Sequence, residues 1–398
     1  MKHLSLLILI SIIFIGCEKE PKILLNFNTE PAIKFIQLID FIEKESKIEL
    51  DTIEYSKNQI ISNYNRNKIN KVLNKKIDNL LKLPVYKKLS DITSAFTDST
   101  KFKGKEAFKF AFLNLPYKGT AMSGGIANSW VEYWKNDYNI KAIDFINELE
   151  NNSERIKYES ISLSKKYFPN IIEENQNVEI AFCFDGNRGS FRNENIIYMD
   201  ILGFTDFNIN TFTKVLSHEL HHVIYSNWLN SRIKKKSDKE KAIFKLQSRI
   251  ILEGLAQQIN FIDYSSQVKE LYINKELIKK LYENFVEALI EIENSDTPLS
   301  TFSEFNTKMW DDSSFLLEKY CNGEIEDKTI PRRPTYDYYI SYKIYESIEK
   351  NGGFEKLQFV IEYPENLLSE FNRLRNDKDL IPKFPLEIID LWKNNFKS

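Results

Sequence analysis

Ser217-His218-Glu219-Leu220-His221-His222-Val223-Ile224 decides the reading of this chain, and it lies in a run from Thr211 that carries the apolar periodicity of a helix. At 3.6 residues per turn, positions 218 and 222 stand one above the other on the same face. Two imidazoles so placed can reach one metal ion, and Glu219 projects beside them at a distance suited to a water on that ion. His221, three residues from His218, could compete for the same ion, but only the 218/222 pair leaves a carboxylate at the position of a base.

A short pattern of this kind recurs by chance, so its surroundings matter. The chain has four histidines; His3 belongs to the extreme N-terminus, and the other three fall within five consecutive residues. A purely structural role for them must explain why a histidine-poor chain concentrates them there. A catalytic zinc site takes three protein ligands and leaves one position for water. With no histidine left, the third ligand must be a carboxylate or a cysteine. The best candidate is Glu253 in Ile250-Ile251-Leu252-Glu253-Gly254-Leu255-Ala256-Gln257, an acid in an apolar helical stretch 31 positions after His222. Burying it unpaired would be costly, and a metal ion offsets that cost. An ion pair with Arg249 or with a cation on a neighbouring element is the competing explanation.

This arrangement resembles the gluzincins, zinc metallopeptidases in which HExxH on one helix is completed by a Glu from a later helix. The pairing of His-Glu-Leu-His-His with Glu-Gly-Leu-Ala resembles zinc-dependent peptidases found among exported bacterial lipoproteins, most specifically over Val178 to Gln258. The resemblance implies Zn2+ as cofactor, Glu219 as general base and a peptide or protein as substrate. It also implies that Gln257, where thermolysin-like relatives have Asp, orients a zinc histidine. The stretch Thr335-Tyr336-Asp337-Tyr338-Tyr339-Ile340-Ser341-Tyr342 is similar to a Gly-Tyr-Tyr-Ile-Gly-Tyr pattern of such peptidases, with Asp337 and Ser341 in the glycine positions. Tyr338 is the favoured oxyanion donor, Tyr339 the next.

Outward from the motif, Ala32 to Phe168 reads as mainly helical, with helical spacing in Phe35-Leu38-Ile39-Ile42 and again in Ile60-Ile61-Tyr64 through Leu80-Leu81, punctuated by Pro84, Pro116 and Pro169. Val178, Ile180, Phe182 and Phe184 alternate with Glu179, Ala181 and Cys183, the signature of a half-buried strand, and a second strand is expected at Ile196 to Ile201. The first of these could be the edge strand to which an extended peptide adds, or simply a core strand. Helices are expected at about Asn210–Asn227, Asp238–Tyr264, Lys269–Ile292, Met309–Tyr320, Tyr338–Lys350 and Pro385–Asn395. The predicted fold is α+β and predominantly helical: a zincin-like core over 171–264, holding a small sheet and the HExxH helix, between helical regions at 17–170 and 265–398.

The N-terminus carries its own signal. A short basic start is followed by an apolar run from Leu6 to Ile15, too short to span a bilayer, ending at Gly16-Cys17 before Glu18-Lys19-Glu20. This resembles the lipobox of bacterial lipoproteins, with residues 1–16 as signal peptide and Cys17 as the lipidated residue. The implied place is the cell envelope, anchored by lipid to the outer membrane and facing the periplasm or the surface. Cys183 and Cys321 could then pair in an oxidising compartment or remain packed thiols. Hydrophobic residues make up 42% of the chain, enough for a substantial core, and 55 Lys and Arg nearly cancel 57 Asp and Glu. Nothing in that balance points to nucleic acid. The functional expectation is a zinc peptidase; a zinc-containing envelope binding module and a zinc amidohydrolase acting on a non-peptide amide are the alternatives.

Overall fold

The computed structural model describes residues 23–46, 70–92, 94–96, 101–113, 138–170, 172, 175–184, 190–232, 237–260, 269, 272–307 and 336–397. The lipobox segment with Cys17, Cys321, the helix expected at Met309–Tyr320 and the first part of the run from Ile60 lie outside the described residues, while the end of that run is helix over Lys71–Leu80.

The chain begins with β1 (Ile23–Asn28) and α1 (Glu30–Ser46), then α2 (Lys71–Leu80) and α3 (Pro84–Ile92), a small antiparallel pair β2 (Ser94–Phe96) and β3 (Lys101–Lys103), and α4 (Gly104–Leu113). After α5 (Tyr138–Asn151) and α6 (Ser153–Lys165) come the strands β4 (Gln176–Cys183), β5 (Ser190–Asn193) and β6 (Ile196–Asp200). The short α7 (Ile201–Phe204) leads into α8 (Ile209–Arg232) and α9 (Asp238–Asn260). The remainder is helical: α10 (Lys275–Asn294), α11 (298–307), α12 (Tyr336–Glu362), α13 (Leu367–Leu374) and α14 (Leu386–Asn394). The fold is therefore α+β and predominantly helical, as the patterning predicts.

The main sheet has four strands in the order β1-β4-β6-β5, with β1, β4 and β6 parallel and β5 antiparallel to β6. This corrects the reading of Val178 to Phe184. β4 is paired on both sides, by β1 and by β6, so its backbone cannot receive a peptide. Nor is it half-buried: Val178 and every residue from Ile180 to Phe184 are buried, as is usual for an interior parallel strand, with Phe182 against Phe212 of the HExxH helix and Phe184 stacked on Phe35 of α1. The edges are β1 and β5, and the one beside Glu219 is β5, a polar Ser-Phe-Arg-Asn stretch with no apolar alternation to reveal it. β1 escaped the helical reading of the N-terminal region for a similar reason: Ile23-Leu24-Leu25-Asn26-Phe27-Asn28 is short and mixes both faces.

Three contacts fix α8, the helix carrying His218 and His222. Asn208 Oδ1 accepts a hydrogen bond from the Thr211 amide at 2.9 Å and starts the helix. Behind it, small polar residues let α6 approach closely. Ser164 Oγ donates to the Ser217 carbonyl at 2.7 Å and Ser160 Oγ to the Thr213 carbonyl at 3.3 Å, so the buried hydroxyls are satisfied by backbone. Buried Trp228 and Leu229 extend the apolar face beyond the expected end at Asn227. Ahead of it, β6 and α7 deliver the chain through Asp200, whose carboxylate caps the Leu202 amide at 3.2 Å.

α9 and α12 meet at Gly254. A Cβ there would lie 2.6 Å from the Tyr345 ring and 2.8 Å from Ser341 Cβ, so glycine sets the helix separation. α12 itself is two helical pieces, joined where Gly353 takes φ 78° and ψ 176°, a conformation other residues rarely adopt. The expected end at Lys350 is thus a bend, after which helix resumes to Glu362.

Gly254→Ala separates two effects of opposite sign. Helix propensity alone favours alanine by about 1 kcal/mol, whereas overpacking against the fully buried Tyr345 costs about 1–3 kcal/mol. The variant should melt below wild type in calorimetry; a higher melting temperature would show that α12 is not held at Gly254.

Candidate metal centre

The two faces of α8 do different work. On one, His218 and His222 bring their Nε2 atoms to 2.9 Å from each other. Glu253 Oε2, from α9, lies 3.3 Å from His222 Nε2 and 3.7 Å from His218 Nε2. All three donor atoms fall within 4.8 Å of one another. His218 and His222 are buried, and the Glu253 side chain keeps 20% of its exposure on one side.

These residues fit a divalent cation. Burial, reinforced by His218, holds the His222 imidazole well below its ordinary pKa, so it stays neutral with a lone pair to give. Burial also pushes the Glu253 carboxyl above its usual value, opposed by the charges of His218, Arg192 and Arg249. Its Oε2 atom is buried without a hydrogen-bond partner. Two ring nitrogens and an orphaned carboxylate oxygen turned to one point make a two-nitrogen, one-oxygen donor set, which suits zinc.

His221 faces the other way, which removes it as a competing ligand. Its Nε2–H donates to the Tyr167 carbonyl at 3.2 Å, just past the end of α6, and the ring stacks on Phe168 at 5.7 Å and on Tyr225 at 5.3 Å. Fully buried, it is held neutral. One turn further, the Tyr225 hydroxyl donates to the Ile361 carbonyl near the end of α12 at 2.6 Å. This face of α8 therefore ties down two helix ends, satisfying carbonyls that helix termini leave unpaired.

Glu219 lies between α8 and the sheet edge. Its Oε1 accepts a hydrogen bond from Ser190 Oγ at 2.5 Å. Ser190 begins β5, and Arg192 on the same strand lines a cleft of about 820 Å³ together with Glu253 and Tyr338. Tyr338 thus shares the cleft with Glu253, while Tyr339 is fully buried and stacked on Tyr272 at 4.1 Å. Gln257 is buried one turn beyond Glu253, where its Oε1 accepts from the Tyr272 hydroxyl at 3.5 Å; His222 Nδ1 has no hydrogen-bond partner. Ser190 and Arg192 were not legible in sequence, since they sit beside a turn-rich stretch with no periodicity. Cys183 is buried within β4.

Residues 56–379 match the model of a family described as "Putative zinc dependent peptidase (DUF5700)", and the chain belongs to that family. No curated protein and no solved structure matches it.

Purified protein should bind about one zinc per chain, as a three-ligand site requires. Elemental analysis should show that zinc lost from a His218→Ala/His222→Ala variant but kept in His221→Gln, which should instead melt at a lower temperature. Chelation should lower the melting temperature of wild type, because an ion that binds only the folded state stabilises it. Equal zinc in wild type and the double variant would refute the assignment.

Proposed function

We propose, from membership of this zinc-dependent peptidase family, that the chain hydrolyses peptide bonds at a zinc ion held by His218, His222 and Glu253, with Glu219 as general base. The observation that carries this reading is the convergence of three buried donor atoms within 4.8 Å beside a carboxylate fixed from the sheet edge. A site kept only for structure would have no use for that carboxylate.

When bound, zinc supplies acidification of a water and polarisation of the scissile carbonyl. The protein does the rest. Glu219, with one oxygen occupied by the Ser190 hydroxyl, takes the proton of the attacking water on its carboxylate and passes it to the leaving amine. Tyr338, in the same cleft, donates its hydroxyl to the developing oxyanion. The outer edge of β5 has no paired strand among the described residues, so it offers backbone groups to an extended substrate. Gln257 and Tyr272 form a buried polar contact behind the ligand helix that steadies α9.

Cys17 completes the proposal as a lipid anchor in the bacterial envelope, at the outer membrane. No helix among the described residues is long and apolar enough to cross a membrane. Cys17→Ser should therefore release the protein from the membrane fraction, since two-chain anchoring is lost; a variant that still sediments with membranes would refute the anchor.

The base is tested by Glu219→Gln, which should keep its zinc and lose roughly 10²-fold or more in cleavage of a peptide library. Glu253→Gln should instead hold zinc more weakly, a neutral amide being a poor ligand. Wild-type rates in Glu219→Gln would overturn the mechanism.

A further inference from the structure

The cleft beside Glu253 has a chemical bias that the hydrolytic machinery does not use. One face of α9 presents Lys241, Phe244, Lys245, Ser248, Arg249 and Leu252 at steps of three and four residues, leading directly to Glu253. From Lys241 to Glu253 this track is about 18 Å long, roughly five residues of extended peptide. Arg192 faces it from β5, across the cleft.

The charges on these walls do not cancel. Among the described lining residues, the carboxylates are Glu253 and Asp337. Glu253 belongs to the metal cluster, and Asp337 lies 3.6 Å from the Arg249 guanidinium. Lys241 is paired with Asp238 at 3.0 Å. Arg192 and Lys245 have no carboxylate partner among the described residues. Arg249 is further fixed by donating to Asn306 Oδ1, and both Lys245 and Arg249 lie over the Phe302 ring, at 5.6 Å and 5.8 Å. Phe302 and Leu299 give the track an apolar floor that lowers the dielectric around these cations.

We infer that this cleft selects peptides carrying a carboxylate within a few residues of the scissile bond, with Lys245 and Arg192 as the residues that recognise it. The inference rests on the peptidase reading and specifies its substrate class. The carboxylate is supplied either by an acidic side chain or by a free C-terminus; both present the same group. An exposed ion pair contributes a factor of about two to five, so two cations acting together give a preference of roughly tenfold, which salt should reduce.

The test uses zinc-loaded full-length protein and peptides identical except for Glu, Gln or Lys at positions flanking the scissile bond, each as free acid and as C-terminal amide. In wild type, kcat/KM should rank Glu above Gln above Lys, with Glu roughly tenfold over Gln. Lys245→Glu and Arg192→Glu should invert the order, and Lys245→Gln should flatten it, which keeps the test valid if a reversal impairs folding. A preference shown by amides identifies the side chain as the ligand, and one confined to free acids identifies the terminus; both support the inference. Binding is measured separately, by calorimetry of the same peptides with zinc-loaded Glu219→Gln. Cleavage with no carboxylate preference would overturn the inference and leave the peptidase reading intact. Preferential binding of the acidic peptides without cleavage by wild type would overturn the peptidase reading and leave the carboxylate site standing.

Discussion

A carboxylate oxygen of Glu253, buried beside two imidazoles with no hydrogen bond to satisfy it, is the constraint around which the rest of the molecule is arranged. In a protein interior such a group is unfavourable unless something charged meets it. The same arrangement places α8 and α9 within narrow limits, because three side-chain donor atoms from two helices converge within 4.8 Å. A shift of one helix by a fraction of a turn would separate Glu253 from His222.

The surrounding structure provides that placement from several directions. Serines on α6 allow close approach behind α8, with their hydroxyls taken up by carbonyls of the two helices. His221 and Tyr225 fasten the far face of α8 to the ends of α6 and α12. Gly254, next to Glu253, brings α12 against α9. On the side away from the cleft, Gln247 donates to the Trp392 carbonyl at 2.9 Å and accepts from Asn395 at 2.7 Å, tying α9 to α14.

The sheet contributes at one place only. Its interior strands are sealed by pairing on both sides and by packing, so β4 supports the site without touching substrate. β5, the antiparallel edge, brings Ser190 to Glu219 and Arg192 to the cleft within three residues. A polar edge strand also suits solvent exposure, where a flat apolar one would invite aggregation. The cleft is bounded on one side by this strand and on the other by α9, so the elements that position Glu219 and Glu253 also shape what can lie between them.

Periodicity and residue scarcity determined a good deal of this protein. Helical spacing put His218 and His222 on one face, and with His221 the remaining histidine outside the N-terminal segment, the candidate third donor narrowed to a carboxylate or a cysteine, among which the apolar setting of Glu253 singled it out. Both are local properties: a turn of helix fixes one, composition the other. The predominance of helix followed from the same repeats. Three things needed the folded chain. His221 is separated from the cluster by the neighbours it packs against, Tyr167 and Phe168, which no spacing reveals. Whether β4 or β5 forms the edge depends on which strands pair, and pairing joins residues as distant as Leu25 and Val178. The roles of Ser190, Arg192 and Gly254 are set by what faces them across an interface, because a side chain's function there is defined by its partners, and partners distant in sequence meet only in the tertiary structure.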